Sequence, residues 1–381
     1  MEKNILNELS EDWQGLETIV LYGWGTYAKK VYPKLIEEFT VEYIIDNDDT
    51  KSGQTEDGVQ IVTFETVREK DWKGKKIIVA THTNAYESIS QSLSDIGLVE
   101  HQDYCKLELF LLEWYWKYRR QANLFVVHTS ITSRCTFHCQ NCNMFMPYYK
   151  TDIDYSFADI KKDLDSLFKH IDYVYDYELL GGEPFLNKEL GKIIEYLVHA
   201  YGKRIGQIGV ITNGSLIPDQ TTLNILKKNR IVLSLSDYTG QIDYKPTFDR
   251  LVSCMQSNGI PYRISSAMRW TDFGLPQHPC NYEDIRQHMN ICGPSFHGLN
   301  DEKFYYCHVS WSAEKCGLIQ LQETDFINFK TMNCCDEEKE KLMLFSLGKW
   351  TPGYVSMCKV CGGCGNDNQQ TIPAGIQMKR A

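Results

Sequence analysis

The sequence predicts an α/β protein, because strand-like and helix-like stretches alternate up to about residue 270 and a cysteine-rich stretch follows them. With 381 residues the chain is long enough for several hydrophobic cores. We divide it into four segments by composition and pattern. They are an N-terminal α/β domain (1–105), a helical connector (106–122), a domain of repeated βα units (123–275) and a small cysteine-rich domain (276–381).

The first domain carries a glycine-rich turn of the kind that binds dinucleotides. Strands are expected at 17–22, 41–45 and 76–80, and helices at 27–39 and 85–97. Gly23, Gly25 and Ala28 form the pattern G-x-G-x-x-A after the first strand, and Asp46 ends the second. This unit resembles small Rossmann-like domains at the front of sugar-modifying and glycan-assembly enzymes. Three interpretations stay open: a binding site for a nucleotide sugar or another substrate, an NAD-type site, or a structural domain without a ligand.

The connector has aromatic and aliphatic residues at helical spacing. Leu107, Phe110, Leu111, Trp114 and Tyr118 recur every three or four residues, which predicts one helix over 104–121. A stripe of this kind is far more often packing than function, so we interpret it as the helix that docks the two domains.

The third segment predicts a parallel sheet. Strands are expected near 124, 174, 207, 231 and 261, and helices near 156–170, 187–201, 218–229 and 246–258. Regular alternation at this spacing is typical of parallel strands joined by helices. In such folds ligands gather at the carboxyl ends of the strands. Residues that directly follow a strand are therefore the candidates for a site.

Three cysteines follow the first of these strands within eight residues. Cys135, Cys139 and Cys142 have the spacing C-x3-C-x2-C. Thiolates suit iron–sulfur clusters or zinc. Three thiolates can hold three irons of a four-iron cluster and leave the fourth iron open to a small molecule. The alternative is a structural zinc site with His128 or His138 as the fourth ligand.

Together with the segments that follow, this spacing resembles the radical S-adenosylmethionine (SAM) superfamily. The resemblance implies a partial (β/α)6 barrel and a [4Fe–4S] cluster whose open iron binds SAM. A Gly-Gly-Glu-Pro segment after the second strand would bind the amino group of SAM. The next two strand ends would contact its carboxylate, ribose and adenine. The residues assigned to SAM in this way are Gly181, Gly182, Glu183, Pro184, Thr212, Asn213, Ser234 and Asp237.

One position departs from the superfamily pattern. The residue before the third cysteine is usually an aromatic that packs near adenine, and here it is Asn141. Phe137 and Phe145 are the possible substitutes.

The last segment resembles the shortened auxiliary-cluster extension called the twitch domain, related to the longer SPASM extension. A C-x14-C hairpin and a distant C-x2-C-x2-C carry the resemblance, which implies a second, auxiliary [4Fe–4S] cluster. The assigned ligands are Cys292, Cys307, Cys358 and Cys361, with Cys364 as the rival for the last place. A four-thiolate zinc site is the alternative.

The resemblance implies reductive cleavage of SAM and hydrogen abstraction from a substrate carbon by the 5′-deoxyadenosyl radical. We expect a carbohydrate or nucleotide-linked sugar, dehydrogenated or epimerised, because of the first domain. Maturation of ribosomal peptides is the alternative, and a non-catalytic iron–sulfur electron carrier or redox sensor is a second one. In an epimerase a free thiol would return the hydrogen atom. The candidate thiols are Cys254, Cys280, Cys316, Cys334 and Cys335.

The overall composition limits the classes of partner that we expect for this protein. The formal net charge is −10, which argues against a nucleic-acid substrate. The sequence contains no apolar run long enough for a membrane span and opens on a polar stretch. Fourteen cysteines in such a chain indicate metal binding rather than disulfides. We therefore expect a cytoplasmic protein, and the resemblance to the radical SAM superfamily implies an enzyme with a small-molecule substrate and an external electron donor such as flavodoxin or ferredoxin.

Overall fold

The structure is a computed structural model that describes residues 6–81, 83–266, 268–293 and 296–378. It divides into two compact units, Met1–Phe125 and Val126–Ala381. The segment expected as a connector falls inside the first unit. The four-segment division stays a prediction.

The first unit is built on a six-stranded sheet of order β3-β4-β2-β1-β5-β6. All neighbouring strands pair in parallel except β3 and β4, which are antiparallel. The strands are β1 (Thr18–Tyr22), β2 (Thr40–Ile45), β3 (Thr55–Glu56), β4 (Val59–Val62), β5 (Ile77–Val79) and β6 (Tyr104–Lys106). The helices are α1 (Thr26–Leu35), α2 (Phe64–Val67), α3 (Thr83–Ser94), α4 (Leu107–Leu109) and α5 (Tyr115–Arg119), with a π-helical turn at Phe110–Trp114 between the last two.

The helix expected over 104–121 is wrong at its start. Residues Tyr104–Lys106 are strand β6, which pairs in parallel with β5 at the edge of the sheet. Tyr104 and Cys105 are almost completely buried there, so sheet pairing prevails over helical periodicity. Helical structure begins at Leu107, where the apolar stripe itself begins.

The second unit contains an eight-stranded sheet of order β11-β10-β9-β8-β7-β13-β14-β15 and a separate antiparallel pair, β12 with β16. Its strands are β7 (Asn123–Ser130, whose first residues belong to the first unit), β8 (Tyr173–Leu180), β9 (Ile205–Thr212), β10 (Val232–Asp237), β11 (Tyr262–Ser266), β12 (Arg269–Thr271), β13 (Gly298–Asn300), β14 (Lys303–Tyr305), β15 (Phe326–Asn328) and β16 (Thr371–Pro373). Its helices are α6 (Phe157–Phe168), α7 (Leu190–Tyr201), α8 (Gln220–Lys228), α9 (Lys245–Asn258), α10 (Ile285–Cys292), α11 (His308–Lys315) and α12 (Asp336–Ser346).

The five strands and four helices expected between 123 and 275 are all present. Strands β8 to β11 pair in parallel, and β13 adds to β7 in parallel through Gly298 and His128. Strands β7 and β8 are buried almost from end to end, as central strands of a parallel sheet are. The fold is therefore mixed α/β with parallel-strand sheets, while the Rossmann-like and partial-barrel assignments stay predictions.

Helix α6 shows how local sequence fixes an element that follows the candidate site. Ser156 accepts a hydrogen bond from the Asp159 backbone N–H, and the Asp159 side chain accepts one from the Ser156 backbone N–H. This capping box satisfies N–H groups that the helix itself leaves unpaired. Ile160, Leu164 and Leu167 then bury one face.

None of the helices in the described ranges combines the length and the hydropathy that crossing a membrane requires.

Candidate active site

The cysteine loop, defined as residues 134–145, follows β7 and borders a cavity of about 340 Å³. Cys135, Cys139 and Cys142 all line this cavity. Gly181 and Gly182 after β8, and Thr212 and Asn213 at the end of β9, line it as well. Residues that follow three different strands therefore meet at one cavity, and its volume lies within the range of small-molecule sites.

The two glycines bring the loop after β8 against the cysteine loop. A Cβ atom at Gly181 would lie 2.2 Å from the Thr132 carbonyl oxygen, and one at Gly182 would lie 2.2 Å from that of Arg134. The Gly182 and Glu183 amides donate to these two carbonyls, both at 2.8 Å. The glycines thus permit backbone contact between two site loops, a reason for glycine that the sequence alone did not reveal.

Glu183 is fully buried behind the cavity and does not line it. Its carboxylate accepts hydrogen bonds from the Thr212 hydroxyl at 2.8 Å and from the Asn213 amide at 2.9 Å. Burial raises the pKa of Glu183 to about 7, although these hydrogen bonds lower it. The carboxylate joins the end of β8 to the end of β9, and Pro184 begins the short turn that follows.

Asn213 reaches the cysteine loop directly. Its side-chain nitrogen Nδ2 lies 3.5 Å from the Cys135 sulfur and donates to the Thr136 hydroxyl at 3.0 Å. Its oxygen Oδ1 accepts from the Ser215 amide at 2.9 Å, which fixes the orientation of the amide group.

Strand β10, the fourth of the strands predicted between 123 and 275, contributes to the cavity a residue other than the two predicted. Ser234 accepts a hydrogen bond from Arg263 at 2.9 Å, and Arg263 forms an ion pair with buried Glu178 at 2.6 Å. Asp237 accepts from the Thr239 amide at 2.8 Å. Neither Ser234 nor Asp237 lines the cavity, whereas Ser236 does. Ser236 lies on the same face of β10 as Ser234 but nearer the end of the strand.

Aromatic side chains form much of the remaining wall. Phe137 lines the cavity and packs edge-on against Tyr244, with ring centroids 4.9 Å apart. Tyr238 lines it too and packs against Trp270 at 5.5 Å. Phe145 is buried and does not line the cavity. Of the two suggested substitutes for the missing aromatic, Phe137 is the one at the cavity.

Burial keeps the three thiols of the cysteine loop protonated in the free protein. It raises the pKa of Cys135 to about 12 and that of Cys139 to about 11, and it raises the pKa of Cys142 as well. Thiolate is the form that binds metal, so bound iron would have to stabilise the deprotonated form. Three soft donors on one cavity large enough for a small molecule fit a [4Fe–4S] cluster with SAM beside it.

Comparison with known proteins identifies the region that supplies most of the residues lining this cavity. Residues 129–256 match the family model described as the radical SAM superfamily. These residues form a radical SAM domain. A domain of this superfamily implies an enzyme with a [4Fe–4S] cluster and SAM.

Solved structures overlap parts of the chain at low identity. The anSMEcpe structure with AdoMet and the Cp18Cys peptide is 17% identical over 39% of this chain and 44% of that chain, with a TM-score of 0.31. Streptococcus suis SuiB bound to precursor peptide SuiA is 16% identical over 49% and 39%, with a TM-score of 0.33. BtrN with AdoMet and 2-DOIA is 16% identical over 62% and 93%, with a TM-score of 0.42. The chain spans less than half the length of the first two, and overlaps at this level say nothing about substrate.

Outside the radical SAM domain, the C-terminal cysteines come together in part. The Cys292 sulfur at the end of α10 lies 3.7 Å from the Cys364 sulfur and accepts from the Cys364 amide at 3.4 Å. Burial raises the pKa of Cys307 to about 11, and burial together with the neighbouring Cys307 raises that of Cys358 to about 12. The Cys361 sulfur accepts from the Gly363 amide at 3.4 Å. Cys364 is thus the thiol seated against Cys292.

Among residues 6–81, 83–266, 268–293 and 296–378, no three His, Cys, Asp or Glu side chains are placed to ligate a single metal ion.

The glycine-rich turn of the first unit has its acidic residue already engaged. Asp46 accepts a hydrogen bond from the Trp24 amide at 2.6 Å and forms an ion pair with Lys51 at 3.0 Å. A Cβ at Gly23 would lie 2.8 Å from the Ala80 carbonyl oxygen, so this glycine is needed for strand packing. In this structure Asp46 holds the turn itself together rather than offering a free carboxylate to a ribose.

Proposed function

We propose that this protein is a radical SAM enzyme that cleaves SAM reductively and abstracts hydrogen from a carbon of a bound substrate. The observation that carries the proposal is the meeting of three thiols with the ends of β8 and β9 at one cavity. An electron carrier has no use for a small-molecule cavity beside its cluster. Such a cavity suits an enzyme whose cluster binds a reactant.

Specific residues would hold the two cofactors. Cys135, Cys139 and Cys142 would ligate the cluster, and Gly181, Gly182, Thr212 and Asn213 would border SAM. The cluster, when bound, supplies the electron that splits the sulfonium of SAM into methionine and the 5′-deoxyadenosyl radical. Phe137, Tyr238 and Trp270 would exclude water from that radical, because their rings line the cavity.

We further propose a second cluster held by Cys292, Cys307 and Cys358 with Cys361 or Cys364. The 3.7 Å separation of the Cys292 and Cys364 sulfurs supports Cys364 as a member of this group. Such a cluster, when bound, can accept an electron, which suits dehydrogenation of an alcohol carbon. Epimerisation would instead need a thiol that returns a hydrogen atom.

For the substrate we propose a carbohydrate or a nucleotide-linked sugar. The support is the G-x-G-x-x-A turn between β1 and α1 of the first unit, a pattern typical of nucleotide-binding turns, in which the Cβ position of Gly23 lies 2.8 Å from the Ala80 carbonyl oxygen. The engagement of Asp46 with Trp24 and Lys51 means that a nucleotide would need other partners for its ribose. Screening of candidate substrates tests this substrate class. We expect nucleotide sugars to stimulate the release of 5′-deoxyadenosine. Stimulation by peptides alone would contradict the assignment.

The experiment that tests the proposed function is anaerobic reconstitution followed by iron and sulfide analysis and an assay for 5′-deoxyadenosine with SAM and dithionite. We expect about eight irons per chain, as two four-iron clusters require, and 5′-deoxyadenosine. About four irons with cleavage would retain the radical SAM reaction and remove the second cluster. A zinc-containing protein without iron or cleavage would refute the proposal.

A further inference from the structure

The C-terminal residues 374–378, called here the strap, lie against the cysteine loop. Cys139 and Gln377 form an antiparallel bridge. The Gln140 amide donates to the Ile376 carbonyl at 2.7 Å, and the Met378 amide donates to the His138 carbonyl at 2.8 Å. Two main-chain hydrogen bonds thus join segments that are more than two hundred residues apart in the sequence.

The side chain of Gln377 adds a contact to a cysteine sulfur. Its oxygen Oε1 accepts from the His138 amide at 2.7 Å. Because a backbone N–H can only donate, the other end of the group must be Nε2. Nε2 lies 3.1 Å from the Cys139 sulfur and 2.8 Å from the Gly375 carbonyl oxygen. Gln377 therefore donates an N–H···S hydrogen bond to Cys139.

The strap is anchored at its other end beside the cavity wall. Strand β16, directly before the strap, pairs with β12, and Ile372 lies opposite Trp270. The Ala374 amide donates to the Met268 carbonyl at 3.1 Å, and Arg269 bonds the Thr371 carbonyl at 2.6 Å. Trp270 lines the cavity. The strap therefore runs from an element of the wall to the middle ligand of the cysteine loop.

The three sulfurs obtain their hydrogen bonds from different sources. Cys142 is approached by the backbone amides of Met144, Phe145 and Met146, and Cys135 by that of Phe137. These donors belong to the cysteine loop or directly follow it, and the Asn213 side chain adds a contact of 3.5 Å to the Cys135 sulfur. For Cys139 the donor is a side chain from the far end of the described chain.

We propose that the strap holds the cysteine loop closed and that Gln377 is a positioning residue that orients Cys139 and raises the reduction potential of the cluster bound there. The statement about potential rests on the proposed function. An N–H dipole that points at a ligand sulfur stabilises the more negative, reduced cluster, so it shifts the potential upward. Removing the donor makes the cluster harder to reduce.

Two variants and one matched control test the role of Gln377. Gln377→Met keeps the length of the side chain and removes the N–H, and Gln377→Glu keeps an acceptor for His138 but cannot donate. Gln369→Met is the control, since that amide is exposed and bonds only the Asn366 carbonyl among the contacts described. The midpoint potential is measured by an EPR-monitored redox titration of the signal that Cys139→Ala abolishes. At a fixed potential, we expect both Gln377 variants to lower the ratio of reduced to oxidised cluster about tenfold. This corresponds to a midpoint potential lower by about 59 mV for a one-electron couple. The control variant should have the midpoint potential of the wild type.

A second measurement needs no cluster. In the iron-free protein we expect iodoacetamide to alkylate Cys139 several-fold faster in a variant truncated after Ala374, which loses both main-chain hydrogen bonds of the strap, than in the wild type, while exposed Cys334 reacts at the same rate in both. An unchanged potential would overturn the tuning role, and an unchanged alkylation rate would overturn the closing role. A wild-type protein that binds no iron would refute the proposed function, and the alkylation rates would still decide whether the strap closes the loop.

Discussion

At the scale of single residues, the glycines of the site, which carry no side chain, matter as much as the thiols. The Cβ position of Gly182 lies 2.2 Å from the Arg134 carbonyl oxygen, so even alanine would push the loop after β8 away from the cysteine loop. The Gly-Gly-Glu-Pro motif could be recognised in the sequence because its residues are contiguous. Its role in packing could not be predicted, because Thr132 and Arg134 lie about fifty residues earlier and only the folded chain brings them close.

Gly182→Ala should therefore destabilise the protein by about 1–3 kcal/mol, the usual cost of forcing extra atoms into a packed site. Urea unfolding of the iron-free protein measures this. Gly202→Ala is the matched control, because its Cβ would meet Val198 at an ordinary 3.5 Å. A loss in Gly182→Ala no larger than that of the control would show that the two loops are not in tight contact.

Asp163 on α6 should make stability depend on pH. Burial raises its pKa to about 7, and the carboxylates of Asp301 and Glu302 add to the shift. Between the unfolded pKa and the folded one, the folded protein binds more protons at Asp163, so the contribution of this group to stability is full at low pH and falls as pH rises towards 7, by at most about 1.4 kcal/mol per pH unit.

Asp163→Asn removes that titration, so the fall in unfolding free energy between about pH 4 and pH 7 should become shallower. Urea unfolding at several pH values checks the slope, with exposed Asp152→Asn as the control. A slope equal to that of the wild type would contradict the burial argument for Asp163.

At the scale of elements, the repeated βα pattern predicted the β-strands and α-helices of the radical SAM region, because local periodicity and short connections decide them. Strand β6 was missed because Tyr104 and Cys105 gain more from sheet pairing with β5 than their helical spacing suggests.

Ser236, Tyr238 and Trp270 line the cavity but were not predicted from the sequence as cavity residues. Strand alternation points to Ser236 once Ser234 is considered, whereas Trp270 carries no local signal.

The start of α6 offers a test of an element on its own. Ser156→Ala removes the N-cap acceptor of the capping box, so the protein should lose about 1 kcal/mol of unfolding free energy. Denaturant unfolding measures it. Ser257→Ala, an exposed position inside α9, should change stability by less than about 0.5 kcal/mol. Equal effects in the two variants would argue that the capping box contributes nothing.

At the scale of the whole molecule, we propose that two groups of cysteines, the three of the cysteine loop and the C-terminal group around Cys292 and Cys358, hold two different clusters. Cys358→Ala should lower iron from about eight to about four per chain and leave 5′-deoxyadenosine release in place, because the first three thiols do not depend on it. Iron analysis and product chromatography on the same sample provide the two numbers. Loss of product together with iron would mean that Cys358 belongs to the cluster that binds SAM.

The most direct test of the central claim compares 5′-deoxyadenosine release from Cys139→Ala and Cys334→Ala after anaerobic reconstitution with SAM and dithionite. Cys139 lines the cavity and Cys334 is exposed outside it. We predict no 5′-deoxyadenosine from Cys139→Ala and wild-type release from Cys334→Ala. Release of 5′-deoxyadenosine by Cys139→Ala would contradict the assignment of the cysteine loop as the site of SAM cleavage.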